Sequence, residues 1–119
     1  MEDIVDIKIT SEDSVAVVAF KAASISDVEG IATASKQIKE FVDENRPNRL
    51  IFDFRGVKFF SSLVLSVLLE VRSKLAAYNG EVAISAISPQ LHKVFQITNL
   101  DKIFNFFPDK EAAVKAASY

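Results

Sequence analysis

The sequence predicts a single α/β domain. Its mixed sheet opens with an antiparallel hairpin, continues with parallel strands, and is layered with about four helices. Three observations carry this. Up to Phe20, two apolar runs are separated only by polar turn residues. After Ser24 the apolar period lengthens from two residues to between three and four. From there to the end, helical stripes alternate with short apolar runs.

The first segment places Val5, Ile7 and Ile9 on one side and Asp6 and Lys8 on the other, the pattern of a half-buried strand. Ser11-Glu12-Asp13-Ser14 is turn material, and Val15 to Phe20 is a β-branched apolar run. Strands joined by so short a turn are antiparallel. Ser26-Asp27-Val28-Glu29 has the form of a capping box, with Ser26 as the cap. Val28, Ile31, Ser35, Ile38 and Val42 then form one helical face, broken near Pro47.

Leu50 to Phe54 is short and apolar throughout, which suits a parallel strand covered on both faces. Arg55-Gly56 is a turn. Val64, Val67, Leu68, Val71 and Leu75 form the stripe of a second helix, closed by Asn79-Gly80 in a left-handed cap. Val82 to Ile87 is another strand. Ser88-Pro89 caps and opens a short helix whose buried face is Leu91, Val94, Phe95 and Thr98. Ile103 to Phe107 is a last strand, and Pro108-Asp109 opens a terminal helix carrying Ala112, Ala113 and Ala116. The element order is β-β-α-β-α-β-α-β-α, and strand–helix–strand units in a row demand parallel pairing with right-handed crossovers. Residues 1–119 show no linker, repeat or low-complexity tract, and they read as one domain.

Composition removes several function classes. A net charge of −2 gives no basic field for nucleic acid and no cationic face for an acidic membrane. The absence of Cys removes disulfides, thiolate catalysis and thiolate metal sites. His92, the single histidine, has no nucleophile motif or orienting carboxylate beside it and reads as a solvated surface residue. Neither a metal site nor a cofactor is expected. The 3 glycines, Gly30, Gly56 and Gly80, are too far apart for a phosphate-binding loop. Met1-Glu2-Asp3 is acidic where a signal peptide would be basic, and no apolar run is long enough to span a bilayer, so a cytoplasmic location is expected. No catalytic residues emerge, and the chain is expected not to be an enzyme.

The informative stretch is Asp53-Phe54-Arg55-Gly56-Val57-Lys58-Phe59-Phe60-Ser61-Ser62-Leu63. A strand ends, a loop follows, and two serines stand where the second helix begins. Such serines cap free N–H groups, or else they are exposed at the positive end of a helix dipole, where a phosphoryl group would be favoured. The apolar pair Phe59-Phe60 beside them gives the character of a protein-docking surface. That surface is placed on Arg55, Gly56, Lys58, Phe59, Phe60, Ser61, Ser62 and Leu63, with Phe59 or Phe60 as its anchor.

Over almost its whole length the chain resembles the STAS domain family, whose bacterial members include anti-sigma factor antagonists. Leu50-Ile51-Phe52-Asp53-Phe54-Arg55-Gly56-Val57-Lys58-Phe59 is similar to the family's central strand and loop. Ala86 to Phe104, with Leu100-Asp101 near its end, is similar to the family's closing helix and strand, and Asp109 to Ala113 to the start of its terminal helix. The resemblance implies a partner switch: the domain binds an anti-sigma factor that is also a serine kinase, and phosphorylation at an Asp-Ser-Ser/Thr-Gly motif blocks binding. That motif falls on Ser61-Ser62-Leu63-Val64. Leu63 occupies the usual acceptor position and cannot be phosphorylated, so the candidates are Ser62 and then Ser61; otherwise the switch is lost and the domain binds constitutively. A second implication of the resemblance is a stand-alone STAS subunit of a transport or lipid-trafficking system.

Overall fold

A computed structural model describes residues 7–116. β1 (Ile7–Glu12) and β2 (Val15–Phe20) form the expected antiparallel hairpin, in unbroken register from Ile7 opposite Phe20 to Glu12 opposite Val15. Ser11 and Glu12 belong to the strand, not the turn, because Asp13 and Ser14 suffice to reverse the chain. Asp13 adopts φ 58°, which fits the first central position of a type II′ hairpin turn. Val5, expected in the first strand, lies outside the described residues.

Next come β3 (Ser24–Ile25), α1 (Val28–Asn45), β4 (Arg49–Asp53), β5 (Phe59–Phe60) and α2 (Ser62–Ala76). The chain continues with β6 (Glu81–Ser85), α3 (Pro89–Ile97), a 3₁₀ turn at Leu100–Lys102, β7 (Asn105–Phe107) and α4 (Lys110–Ala116). A 5-stranded sheet runs in the order β1-β2-β4-β6-β7, parallel from β2 onward. Leu50 to Phe54 therefore lies at its centre, as the unbroken apolar run requires, and the hairpin lies at its edge. β3 and β5 form a separate parallel pair.

Strand alternation splits the sheet into two unequal faces. Val18, Phe20, Leu50, Phe52, Val82 and Ile84 join Ile38, Val42, Leu68, Val71, Leu75 and Phe95 in one core beneath α1, α2 and α3. Right-handed crossovers put all three helices on that side. The other face carries Val17, Ile51 and Ala83, covered by Ala113 of α4. The α1–α2 seam is crossed by the ion pairs Lys39–Glu70 and Lys74–Asp43.

Several boundaries differ from the sequence expectation. The cap of α1 is Asp27, not Ser26: its carboxylate accepts from the Gly30 N–H at 2.7 Å, because Asp27 directly precedes the first helical residue. Val28, assigned to the buried stripe, is 63% exposed; the first turn starts before the helix meets the sheet. Thr98 is exposed just past the end of α3, where its hydroxyl donates to the Val94 carbonyl. The last strand starts at Asn105, because the 3₁₀ turn carries the chain through Ile103. β6 stops at Ser85, where Ala86 turns to φ 55°. His92 is half-buried, its ring 4.4 Å from that of Phe106.

Alanine in the left-handed region costs about 1 kcal/mol relative to glycine. Ala86→Gly is therefore expected to raise unfolding stability by about 1 kcal/mol, and Asp27→Ala to lower it by about 1 kcal/mol through the lost cap. Urea denaturation of both variants checks the pair.

Candidate functional site

The site is built at the carboxyl end of β4. The Val57 N–H donates to the Phe54 carbonyl at 3.0 Å, closing a turn with Gly56 at φ 82°. Glycine is demanded there, since the third position of a type II turn lies in the left-handed region. The chain then ties itself to the segment before α1. The N–H groups of Lys58 and Phe59 donate to the Ala23 carbonyl at 2.7 and 3.2 Å, and that of Ser61 to the Ile25 carbonyl at 2.9 Å. Burial of Val57, Phe60 and Ile25 completes the anchorage.

Pairing of β5 with β3 makes the local backbone extended, so adjacent side chains point to opposite sides. Phe60 goes inward and is only 6% exposed, with ring centroids 5.6 Å from Phe54 and 6.0 Å from Phe95. It is core and is not available as an anchor. Phe59 goes outward and is 52% exposed. Leu63 follows at 40%, while Val64 is buried against the core. Arg55, Gly56, Lys58 and Ser62 are exposed. Of the eight residues singled out in the sequence, the structure thus brings all to one loop and helix start, and withdraws Phe60 from the surface.

The two serines differ. Ser61 occupies the N-cap position of α2, yet its side chain makes no capping hydrogen bond. Its Oγ is buried without a partner. Ser62, the first residue of the helix, is exposed. The capping role expected for Ser61 is not realised, and an incoming group has direct access only to the Ser62 hydroxyl.

Sequence reasoning missed Val28, which opens α1 three residues beyond the β3–β5 pair and adds an exposed apolar side chain. Its helical spacing from Ile31 matched the core face; only the length of the first-turn overhang, which no residue encodes locally, places it outside. Ile97, at the end of α3, is likewise fully presented.

On the other face, the carboxyl ends of the parallel strands border a crevice of about 460 Å³ with Lys21, Asp53, Arg55, Asp109, Lys110 and Glu111 in its walls. Asp53 is buried and accepts a hydrogen bond from the Ser85 hydroxyl at 2.9 Å. That bond joins β4 to β6. Tyr78, beyond the opposite strand ends, has its phenol pushed up by burial, with Arg46 acting against the shift; its hydroxyl donates to the Pro47 carbonyl at 2.9 Å. Among the described residues, no group of three His, Cys, Asp or Glu could hold a metal ion, and no helix is long and apolar enough to cross a membrane.

Comparison with known proteins identifies the fold. The STAS domain model matches residues 7–113. The chain belongs to the STAS domain family. An anti-sigma factor antagonist from Mycobacterium paratuberculosis superposes with a TM-score of 0.83 at 25% identity, covering 97% of this chain and 95% of that one. An anti-sigma-factor antagonist (STAS) domain protein from Planctomyces limnophilus superposes at 0.84, with 23% identity and coverage of 96% and 98%. BtrV of Bordetella bronchiseptica, named as an anti-sigma factor antagonist, is 31% identical over 68 residues, 57% of this chain and 59% of BtrV. The aligned part thus spans less than two-thirds of that curated relative.

Three substitutions separate structural from presented residues. Phe60→Ala should cost about 3–5 kcal/mol of stability, as for a buried aromatic. Phe59→Ala should stay within about 0.5 kcal/mol, as for a surface position. Ser61→Ala should lose nothing, since no hydrogen bond is removed. Equilibrium unfolding of the three variants reads this out directly.

Proposed function

We propose that this STAS domain is a non-catalytic regulator that binds an anti-sigma factor with serine-kinase character, in the manner of an anti-sigma factor antagonist. The observation that carries the reading is the outward Phe59 and Leu63 on either side of the exposed Ser62 hydroxyl, at the first turn of a 15-residue helix. Aromatic side chains presented on a rigid base are the usual anchors of protein interfaces. Here the base is the Phe60–Val57–Ile25 core contact, so little conformational entropy is lost when a partner covers Phe59.

Phosphorylation of Ser62 is the proposed control. The phosphate would sit at the positive end of the α2 dipole, where added negative charge is tolerated by the fold. It would also put close to two negative charges between Phe59 and Leu63, the surface a partner has to desolvate. Binding weakens while the domain stays folded. Ser61 is the poorer acceptor because its Oγ is buried.

The test uses a purified anti-sigma factor with serine-kinase activity, with ATP, intact-mass measurement and calorimetric titration. A single phosphoryl addition on the wild type, lost in Ser62→Ala and retained in Ser61→Ala, supports the switch. Phe59→Ala should weaken partner binding by about thirtyfold, near 2 kcal/mol, and Ser62→Asp should weaken it in part. Unchanged affinity in folded Phe59→Ala and Leu63→Ala would overturn the surface. Retained binding with no mass increase would make the domain a constitutive binder.

A further inference from the structure

Among the described residues, β1 lies at the edge of the sheet with its outer side unpaired, and that edge carries its own pairing information. The two-residue turn makes Glu12 and Val15 the hydrogen-bonded pair that closes the hairpin. Alternation then turns the backbone groups of Lys8, Thr10 and Glu12 toward β2 and those of Ile7, Ile9 and Ser11 outward. β1 is 6 residues long, in unbroken register and free of proline; Lys8 is its one common edge safeguard. The opposite edge strand, β7, has only 3 residues.

We propose that β1 pairs antiparallel with β1 of a second copy of this chain, across a two-fold axis passing between the two Thr10 residues. Two 5-stranded sheets then continue into one. Charge selects this register. A shift that centres the axis on Lys8 sets Lys8 against Lys8, and one that centres it on Glu12 sets Glu12 against Glu12. Centring it on Thr10 sets Lys8 of each copy directly opposite Glu12 of the other, on one face, and opposite charges so placed stabilise a strand pair. In the same register Ile9 of one copy and Ser11 of the other exchange both outward backbone hydrogen bonds, and the Lys8–Glu12 pairs occupy the closer-spaced non-hydrogen-bonded positions.

The face that carries Lys8, Thr10 and Glu12 is flanked by α4. Thr10, Glu12, Val15, Val17, Val114 and Lys115 border a trough of about 580 Å³ there. The two-fold sets two such troughs side by side. On the reverse face Glu40 and Glu44 stand beside Ile7 and Ile9 and face their counterparts across the axis, which keeps the association weak. Edge pairing alone also buries less than the roughly 800 Å² per partner of a stable interface, so the dimer is expected at hundreds of micromolar, on the order of the weak end of specific association. None of the residues of the Phe59–Leu63 surface lies on β1.

Sedimentation velocity of the full chain, from about 10 μM to 1 mM, tests the pairing, with circular dichroism to confirm folding. The wild type should move from monomer toward dimer over this range. Ser11→Pro removes an outward N–H at an exposed position, which an edge strand tolerates, and should be monomeric throughout. Glu12→Lys and Lys8→Glu should each weaken dimerisation by about tenfold, and the double exchange should restore it, which a purely structural effect would not do. A wild type that stays monomeric at every concentration overturns the proposal. So does a dimer that ignores both Ser11→Pro and the charge reversals.

Discussion

A line of phenylalanine rings holds this domain in register. Phe20 of β2 lies against Phe52 and Phe54 at the centre of the sheet. Phe54 meets Phe60 in the loop, Phe60 meets Phe95 of α3, and Phe95 meets Phe104 and Phe106 at the last strand. Most of these contacts are edge-to-face or tilted, the geometry that aromatic quadrupoles favour. The line joins the sheet, the loop after β4, α3 and the far edge without an intervening polar group. With no Trp and no Cys in the chain, these rings supply much of the bulk that makes one small core contiguous.

The proposed docking surface is a by-product of that line. Because Phe60 is one of its links, the backbone through β5 is fixed, and period-two alternation leaves Phe59 no choice but to face outward. The two hydrogen bonds accepted by the Ala23 carbonyl and the one accepted by the Ile25 carbonyl lock the same stretch from the other side. A loop that would otherwise be adaptable becomes a rigid platform, and the exposed ring is held ready without strain in the backbone of either phenylalanine.

Much of this was legible in the sequence, for identifiable reasons. The hairpin, the central strand Leu50 to Phe54 and the stripe from Val64 to Leu75 each extend over enough residues for a period to declare itself. The β3–β5 pair could not be read, because two residues carry no period. The exchange of Asp27 for Ser26 as cap turned on a one-residue offset between two good capping residues. Phe59 and Phe60 were indistinguishable by composition: which one is core depends on β3, 35 residues distant in each pair, and only the folded pairing decides it. The burial of the Ser61 hydroxyl is likewise tertiary, since position alone made it a cap.

The two faces of the sheet are unequally guarded, and this sets the order in which the molecule comes apart. Three helices, totalling most of the helical residues, are fused to one face through the aromatic line. The other face is covered by α4, which spans 7 of the described residues and contributes buried Ala113 with Val114 packed beside it. So small a buried area carries little free energy, and a unit held that lightly opens independently of the rest. Amide protons of α4 will exchange with solvent well ahead of those in β4 and β6. Each such opening uncovers Val17, Ile51 and Ala83 while the main core stays intact, so the face beneath α4 is the first part of the interior to meet solvent.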